Sequence, residues 1–331
     1  MKRYVIGVDL GGTNLRSVLL DEKRQICGEN RAPTRAQEGP AAVIEQIAGL
    51  VQEMTVQAGV AVRQVQGLGL GLPGVIDNAK GIALELPNLA GWHHVSVTEL
   101  LQDRLELGVY CENDARMAAW GEKILGAGQE CQNFICLTLG TGIGAGIFLQ
   151  GKIWRGTQGA AGEIGHITVK EDGIRCSCGN QGCLEMYVSG RGIARRAQQA
   201  LIQQESSLFC QLANSCPEQV TALTVYEAAS RGDSLALGLI QETAEILGLA
   251  LANLVNILNP ELIILGGAVS MGWGEMLLDP VREIVQSRAF SLNKRVIVKQ
   301  AHLGEKAGVL GAACLAGKIY LSGEDPASLS W

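Results

Sequence analysis

The sequence predicts an α/β protein built from two similar halves. Three observations carry that reading. Two glycine- and threonine-bearing turns, "DLGGTN" (Asp9–Asn14) and "LGTGIGAG" (Leu139–Gly146), each stand between two apolar, strand-like runs. Elsewhere, short apolar runs alternate with segments whose apolar residues recur every three or four positions. With 331 residues, 47% hydrophobic and only 18% charged, the chain can bury a large core and is long enough for two lobes.

Residues 4–10 and 15–20 read as strands around the first turn. The stretch 41–59 has helical apolar spacing and stops at Gly59. "VQGLGLGLPGVID" (65–77) is a strand running into a loop, 97–107 a helix, and "GVYCEND" (108–114) a strand ending in polar residues. "ARMAAWGEKILGAG" (115–128) is rich in helix formers and stops at glycine. Residues 133–152 then repeat the opening theme. Helices are expected at 189–204, 224–230 and 233–257, a buried strand at 260–267, a helix at 275–289, a strand at 295–301 and a closing helix at 307–319. "SGEDPASLSW" shows no pattern and is expected to fray.

A net charge of −6 and a pI near 5.4, with no Lys/Arg run, argue against nucleic-acid binding. The N-terminal apolar run is broken by Asp9 and reads as a strand, not a signal peptide. No uncharged apolar stretch of about eighteen residues occurs, so no membrane span is expected. These features point to the cytoplasm, with the cysteines as reduced thiols. Cys27, Cys111, Cys131, Cys136, Cys210, Cys216 and Cys314 are scattered and read as small core hydrophobes.

In the paired turns, backbone N–H groups and a threonine hydroxyl can converge on phosphate oxygens, although each alone could be an ordinary hairpin turn. Asp9, at a strand end, suits a hydrated Mg²⁺ beside phosphate. "GLGLPG" (Gly69–Gly74) satisfies a dinucleotide-binding spacing but is followed by neither a helix nor a second-strand acid, so that reading is rejected. "CENDAR" places Asn113 and Asp114 at a strand–helix junction. Asp114 could take a hydroxyl proton during phosphoryl transfer, and both residues are equally good helix caps. His166, Cys176, Cys178 and Cys183 supply one imidazole and three thiolates, a closed tetrahedral Zn²⁺ set with structural purpose. Zinc would then fix the neighbouring carboxylates Glu163 and Glu185. His93, His94 and His302 lack metal-like partners, and Arg195 and Arg196 read as a solvated helix face.

Taken in order, "DLGGTN", "GLPGVID", "PNLAGW", "END", "LGTGIGAG", "GEIGH", "CSCGNQGC" followed by Glu185, and "ILGGAV" resemble the ROK family of sugar kinases and repressors over residues 3–320. "PNLAGW" and "GEIGH" look most like its bacterial glucokinase branch. The resemblance implies an actin-like ATPase (ribonuclease H-like) fold with a central cleft, an N-terminal lobe of 1–114 plus 302–323, a C-terminal lobe of 115–301 with the zinc loop, and a tail of 324–331. It implies ATP-dependent phosphorylation of a hexose at the 6-hydroxyl, glucose first, as in glycolysis. It makes Asp114 the general base and Asn88, Asn113, Glu163, His166 and Glu185 sugar contacts. Asp9, Gly11, Gly12, Thr13, Thr141 and Gly142 would face phosphates and Mg²⁺, with Gly266 and Gly267 against adenosine. A dimer or tetramer fits the family's habits. Other acceptors (N-acetylmannosamine, N-acetylglucosamine, fructose, allose) and a non-catalytic sugar sensor are the alternatives. The first turn begins at residue 9, leaving no room for the repressors' N-terminal DNA-binding segment.

Overall fold

The computed structural model describes residues 2–87, 89–203, 207–214 and 216–330. The chain opens with strands β1 (Tyr4–Leu10), β2 (Asn14–Asp21) and β3 (Ile26–Pro33), helix α1 (Gly39–Gln57) and strand β4 (Val65–Leu72). A small sheet of β5 (Val75–Asp77), β6 (Ile82–Glu85) and β7 (His93–Val95) precedes α2 (Val97–Leu105), β8 (Val109–Asn113) and α3 (Asp114–Leu125). Strands β9 (Phe134–Leu139), β10 (Ile143–Leu149) and β11 (Lys152–Ile153) follow. From residue 154 to 184 the chain makes only one short helical turn, Ile164–His166. It then forms α4 (Glu185–Val188), α5 (Gly190–Gln203), α6 (Leu208–Leu212), α7 (Ala222–Ser230) and α8 (Ser234–Leu258). Strand β12 (Leu262–Gly266), α9 (Gly267–Trp273), α10 (Glu275–Arg288), β13 (Ile297–Gln300) and α11 (Ala307–Ala316) complete it.

Two compact units result. The first comprises 1–130, 146–162 and 305–331, the second 131–145 and 163–304. In the first unit the sheet order is β3-β2-β1-β4-β8, with β1, β4 and β8 parallel. Asp9 pairs in register with Gly71, and Gly71 with Glu112, so the carboxyl ends of three parallel strands are level. Such strand ends are where open α/β sheets bind ligands. Ile44, Ile47, Val51 and Met54 of α1 share one buried core with Leu19 of β2 and Leu68 of β4. On α11, Ala312 O lies only 2.0 Å from where a Cβ on Gly69 would stand. Met117 O of α3 lies 1.7 Å from one on Gly311. Gly69 of "GLGLPG", which mimics a dinucleotide motif, thus serves close helix–sheet packing.

In the second unit β9, β12 and β13 are parallel and paired in the order β9-β12-β13. Helix α8, at 25 residues, is long and apolar enough by length and composition to cross a membrane. It carries Glu242 and Glu245 and buries Leu239, Ile240, Leu247, Leu251 and Val255. That is the pattern of a core helix.

Several expectations are corrected. Strand β3 has no sequence signal because it is an exposed edge, with little apolar side-chain burial to impose alternation. Of the seven scattered cysteines only Cys111, Cys136 and Cys314 are buried; Cys27 is exposed, and Cys131, Cys210 and Cys216 are half-buried. Arg196 is not solvated: it is buried and donates to Tyr187 O at 2.9 Å and Thr243 Oγ1 at 3.0 Å, and it pairs with Glu242. The patternless C-terminus is held, with Leu329 buried and Ser330 bridged to Ile153.

Candidate functional site

In the first unit Asp9 is the last residue but one of β1, half-buried beside the start of α11, where a Cβ on Gly308 would meet its carboxylate at 3.1 Å. Burial pushes its carboxyl up to about 6, against the pull of Arg16. A carboxylate withdrawn from water without full compensation suits a cation. The turn beyond it is fixed by Gly11 N donating to Asn14 O (2.9 Å) and Thr34 Oγ1 to Gly11 O (2.7 Å). Thr13 is left exposed at its tip.

Asn113 closes β8 and caps α3, its Oδ1 accepting from Ala115 N (3.0 Å) and Arg116 N (3.2 Å). Its Nδ2 donates to Gly74 O at 3.2 Å. The cap reading therefore describes Asn113 correctly. Asp114, the first residue of α3, is half-buried and accepts from Ala115 N at 2.7 Å. Beneath both lies Glu112, fully buried, which sequence reasoning missed. It accepts from Asn113 N (2.9 Å), Asn78 Nδ2 (3.1 Å), Arg116 (3.3 Å) and Arg155 (2.7 Å). Arg155 also binds Tyr110 Oη at 2.7 Å and Ser330 Oγ, while Arg116 donates to Gly159 O and Ala161 O at 2.7 and 2.9 Å. A buried carboxylate between two guanidiniums thus locks the strand end, the 155–161 loop and the C-terminus together.

In the second unit the ligand atoms of His166, Cys176, Cys178 and Cys183 all lie within 4.8 Å of one another. Cys178 Sγ and Cys183 Sγ are 3.7 Å apart, as are Cys176 Sγ and His166 Nδ1. Tetrahedral zinc with ~2.3 Å bonds to sulfur separates its thiolates by ~3.8 Å, so the set fits. The loop is a tight knuckle: Cys176 N donates to Asn180 O (2.9 Å) and Gly182 N to Ile174 O (2.9 Å). Without metal, burial pushes the Cys183 thiol up to about 12, so metal binding must displace its proton. His166 Nε2 lies 4.0 Å from Glu163 Oε2, on the ring side away from Cys176. Glu163 itself is exposed.

The turn after β9 is closed by Gly140 N donating to Gly142 O (2.9 Å), with Thr141 exposed. Gly266 ends β12, and Gly267, at φ 81°, turns the chain into α9. A cavity of about 360 Å³ opens beside this turn, lined by Gly140, Thr141, Arg191, Leu223, Val269 and Trp273. Its size and largely apolar wall suit a planar base. Arg191, Leu223 and Trp273 come from α5, α7 and α9, too far apart in sequence to signal a shared site. Asn88 lies outside the described residues.

The ROK family model matches residues 5–319. Glucokinases of Halalkalibacterium halodurans and Thermotoga maritima are each 38% identical over 95% of this chain, covering 94% and 97% of their own length. A solved ROK family glucokinase from Streptomyces griseus, in complex with glucose and AMPPNP, superposes with a TM-score of 0.81 at 36% identity, covering 94% of this chain and 98% of that one.

Proposed function

This chain belongs to the ROK family, and we propose that it transfers the γ-phosphoryl group of ATP to the 6-hydroxyl of D-glucose. One observation carries the reading. A chain matched along nearly its whole length by glucokinases carries a half-buried carboxylate, Asp114, at the carboxyl end of β8, on a junction fixed by Glu112 and the Asn113 cap. Phosphoryl transfer asks little covalent chemistry of a protein and much positioning. Asp114 accepts the 6-hydroxyl proton as the oxygen attacks phosphorus, the bond to the β-phosphate oxygen breaks, and ADP departs.

Asn88, Asn113, Glu163, His166 and Glu185 hold the sugar's hydroxyls in this proposal. Turns 11–13 and 141–142, with Asp9, serve the phosphates and Mg²⁺, and Gly266 and Gly267 flank adenosine. Mg²⁺ would neutralise charge on the phosphate oxygens. Zn²⁺ on His166, Cys176, Cys178 and Cys183 has no open coordination position and acts structurally. None of the ten cysteines forms a disulfide, which supports a cytoplasmic setting, with the product entering glycolysis. A homo-oligomer, dimer or tetramer, completes the proposal. Incubation with glucose and Mg²⁺-ATP, followed by ³¹P NMR, is expected to give a phosphomonoester at O6. No phosphosugar across a panel of hexoses and amino sugars would overturn it.

A further inference from the structure

The segment running out of the metal-binding loop, from Cys183 to Arg191, grips the turn at 140–143 at successive points. Glu185 Oε2 accepts from Ile143 N at 2.8 Å, Gly190 N donates to Gly140 O at 2.8 Å, and Arg191 Nε donates to Thr141 O at 3.3 Å. The carboxylate lies directly under the turn: a Cβ on Gly142 would stand 2.5 Å from Glu185 Oε2. The segment is itself anchored from behind. Cys183 is fully buried, Tyr187 Oη accepts from Ile174 N at 2.8 Å, and buried Arg196 donates to Tyr187 O at 2.9 Å.

A negative charge beneath a turn that receives phosphate opposes binding by simple electrostatics. For the contact to favour nucleotide binding, its geometric contribution must outweigh that repulsion. The turn's own internal bond, Gly140 N to Gly142 O, leaves Ile143 N dependent on the glutamate. We infer that Glu185 is a positioning residue for this phosphate turn, so that the wall carrying a sugar contact also sets nucleotide affinity. This rests on reading residues 139–146 as a phosphate site within the proposed kinase.

The test is direct ADP binding by calorimetry, without sugar, on the full-length parent, Glu185→Ala and Glu185→Gln, with zinc content measured in each. Glu185→Ala is expected to weaken ADP by about two- to tenfold, the equivalent of one lost hydrogen bond. Glu185→Gln keeps an acceptor for Ile143 N and removes the charge, so its affinity should equal or exceed the parent's. Unchanged or tighter ADP binding in Glu185→Ala would overturn the inference. Should Glu185→Ala lose zinc, Gly142→Ala displaces the same carboxylate from the other side. It should weaken ADP with zinc retained, and parent-like affinity there would equally overturn the idea. Amide exchange at 140–143 decides separately from the kinase reading. Faster exchange at Ile143 in Glu185→Ala and not in Glu185→Gln supports the brace, and equal exchange refutes it. A parent that binds no ADP would defeat the kinase reading while leaving the exchange result to judge the brace.

Discussion

The strand end at 109–116 and the loop segment at 163–191 each carry candidate site residues, yet they are organised by opposite means. At 109–116 the backbone is already regular: a parallel strand passes into a capped helix, and a buried Glu112 gathers two arginines beneath the junction. Within 163–184 there is one short helical turn and two isolated bridges, Thr168 with Cys183 and Arg175 with Gln181. The first region can hold a carboxylate by hydrogen bonds and ion pairs. The second has too little ladder to do so; in the proposal, a metal on its four candidate ligands supplies the missing cross-links, and its binding would be folding free energy for the loop.

Asp114→Asn should produce the largest effect, lowering kcat by about 10²–10⁴-fold with glucose KM near the parent's, because only the proton acceptor is removed. Near-parent turnover would reassign the base. Cys178→Ser should lose zinc and, through misplacement of Glu163 and Glu185, about a hundredfold in rate. Metal analysis beside kinetics checks this, and a zinc-free variant with normal kcat and KM would break the comparison on the loop side.

Glu112→Gln addresses the other side. Leaving Arg116 and Arg155 buried without their carboxylate should destabilise the protein by about 3–5 kcal/mol in thermal melts, with zinc content unchanged. Asp9→Asn should give the smallest and least intuitive effect, a gain in stability. The Asp9 carboxyl titrates near 3.8 when unfolded and at about 6 when folded. Its contribution to stability is therefore fully present below about 4 and is lost as pH rises through 6, a penalty of up to about 3 kcal/mol. The variant should melt higher than the parent at pH 8 and equally at pH 4. A lower melting temperature at pH 8 would show that Asp9 is compensated in the folded protein.

Much of the fold was legible because its buried strands and amphipathic helices carry strong periodic signals, as in β1, β12 and α3. That His166, Cys176, Cys178 and Cys183 come together was legible because they lie close together in sequence. What escaped depends on packing between distant segments. Glu112 reads as one more strand residue until Arg155 and Arg116 are seen around it. Gly69 looks like a ligand-facing glycine until α11 is placed against it, and the wall of Arg191, Leu223 and Trp273 is assembled from three helices. The bounds of the two units, with 146–162 returning to the first, carry no local signature at all.

Amide hydrogen exchange before and after zinc chelation tests the contrast most directly. Residues 163–191 should lose protection on chelation while 109–125 keep theirs. Equal loss in both regions, or no loss in either, would contradict it.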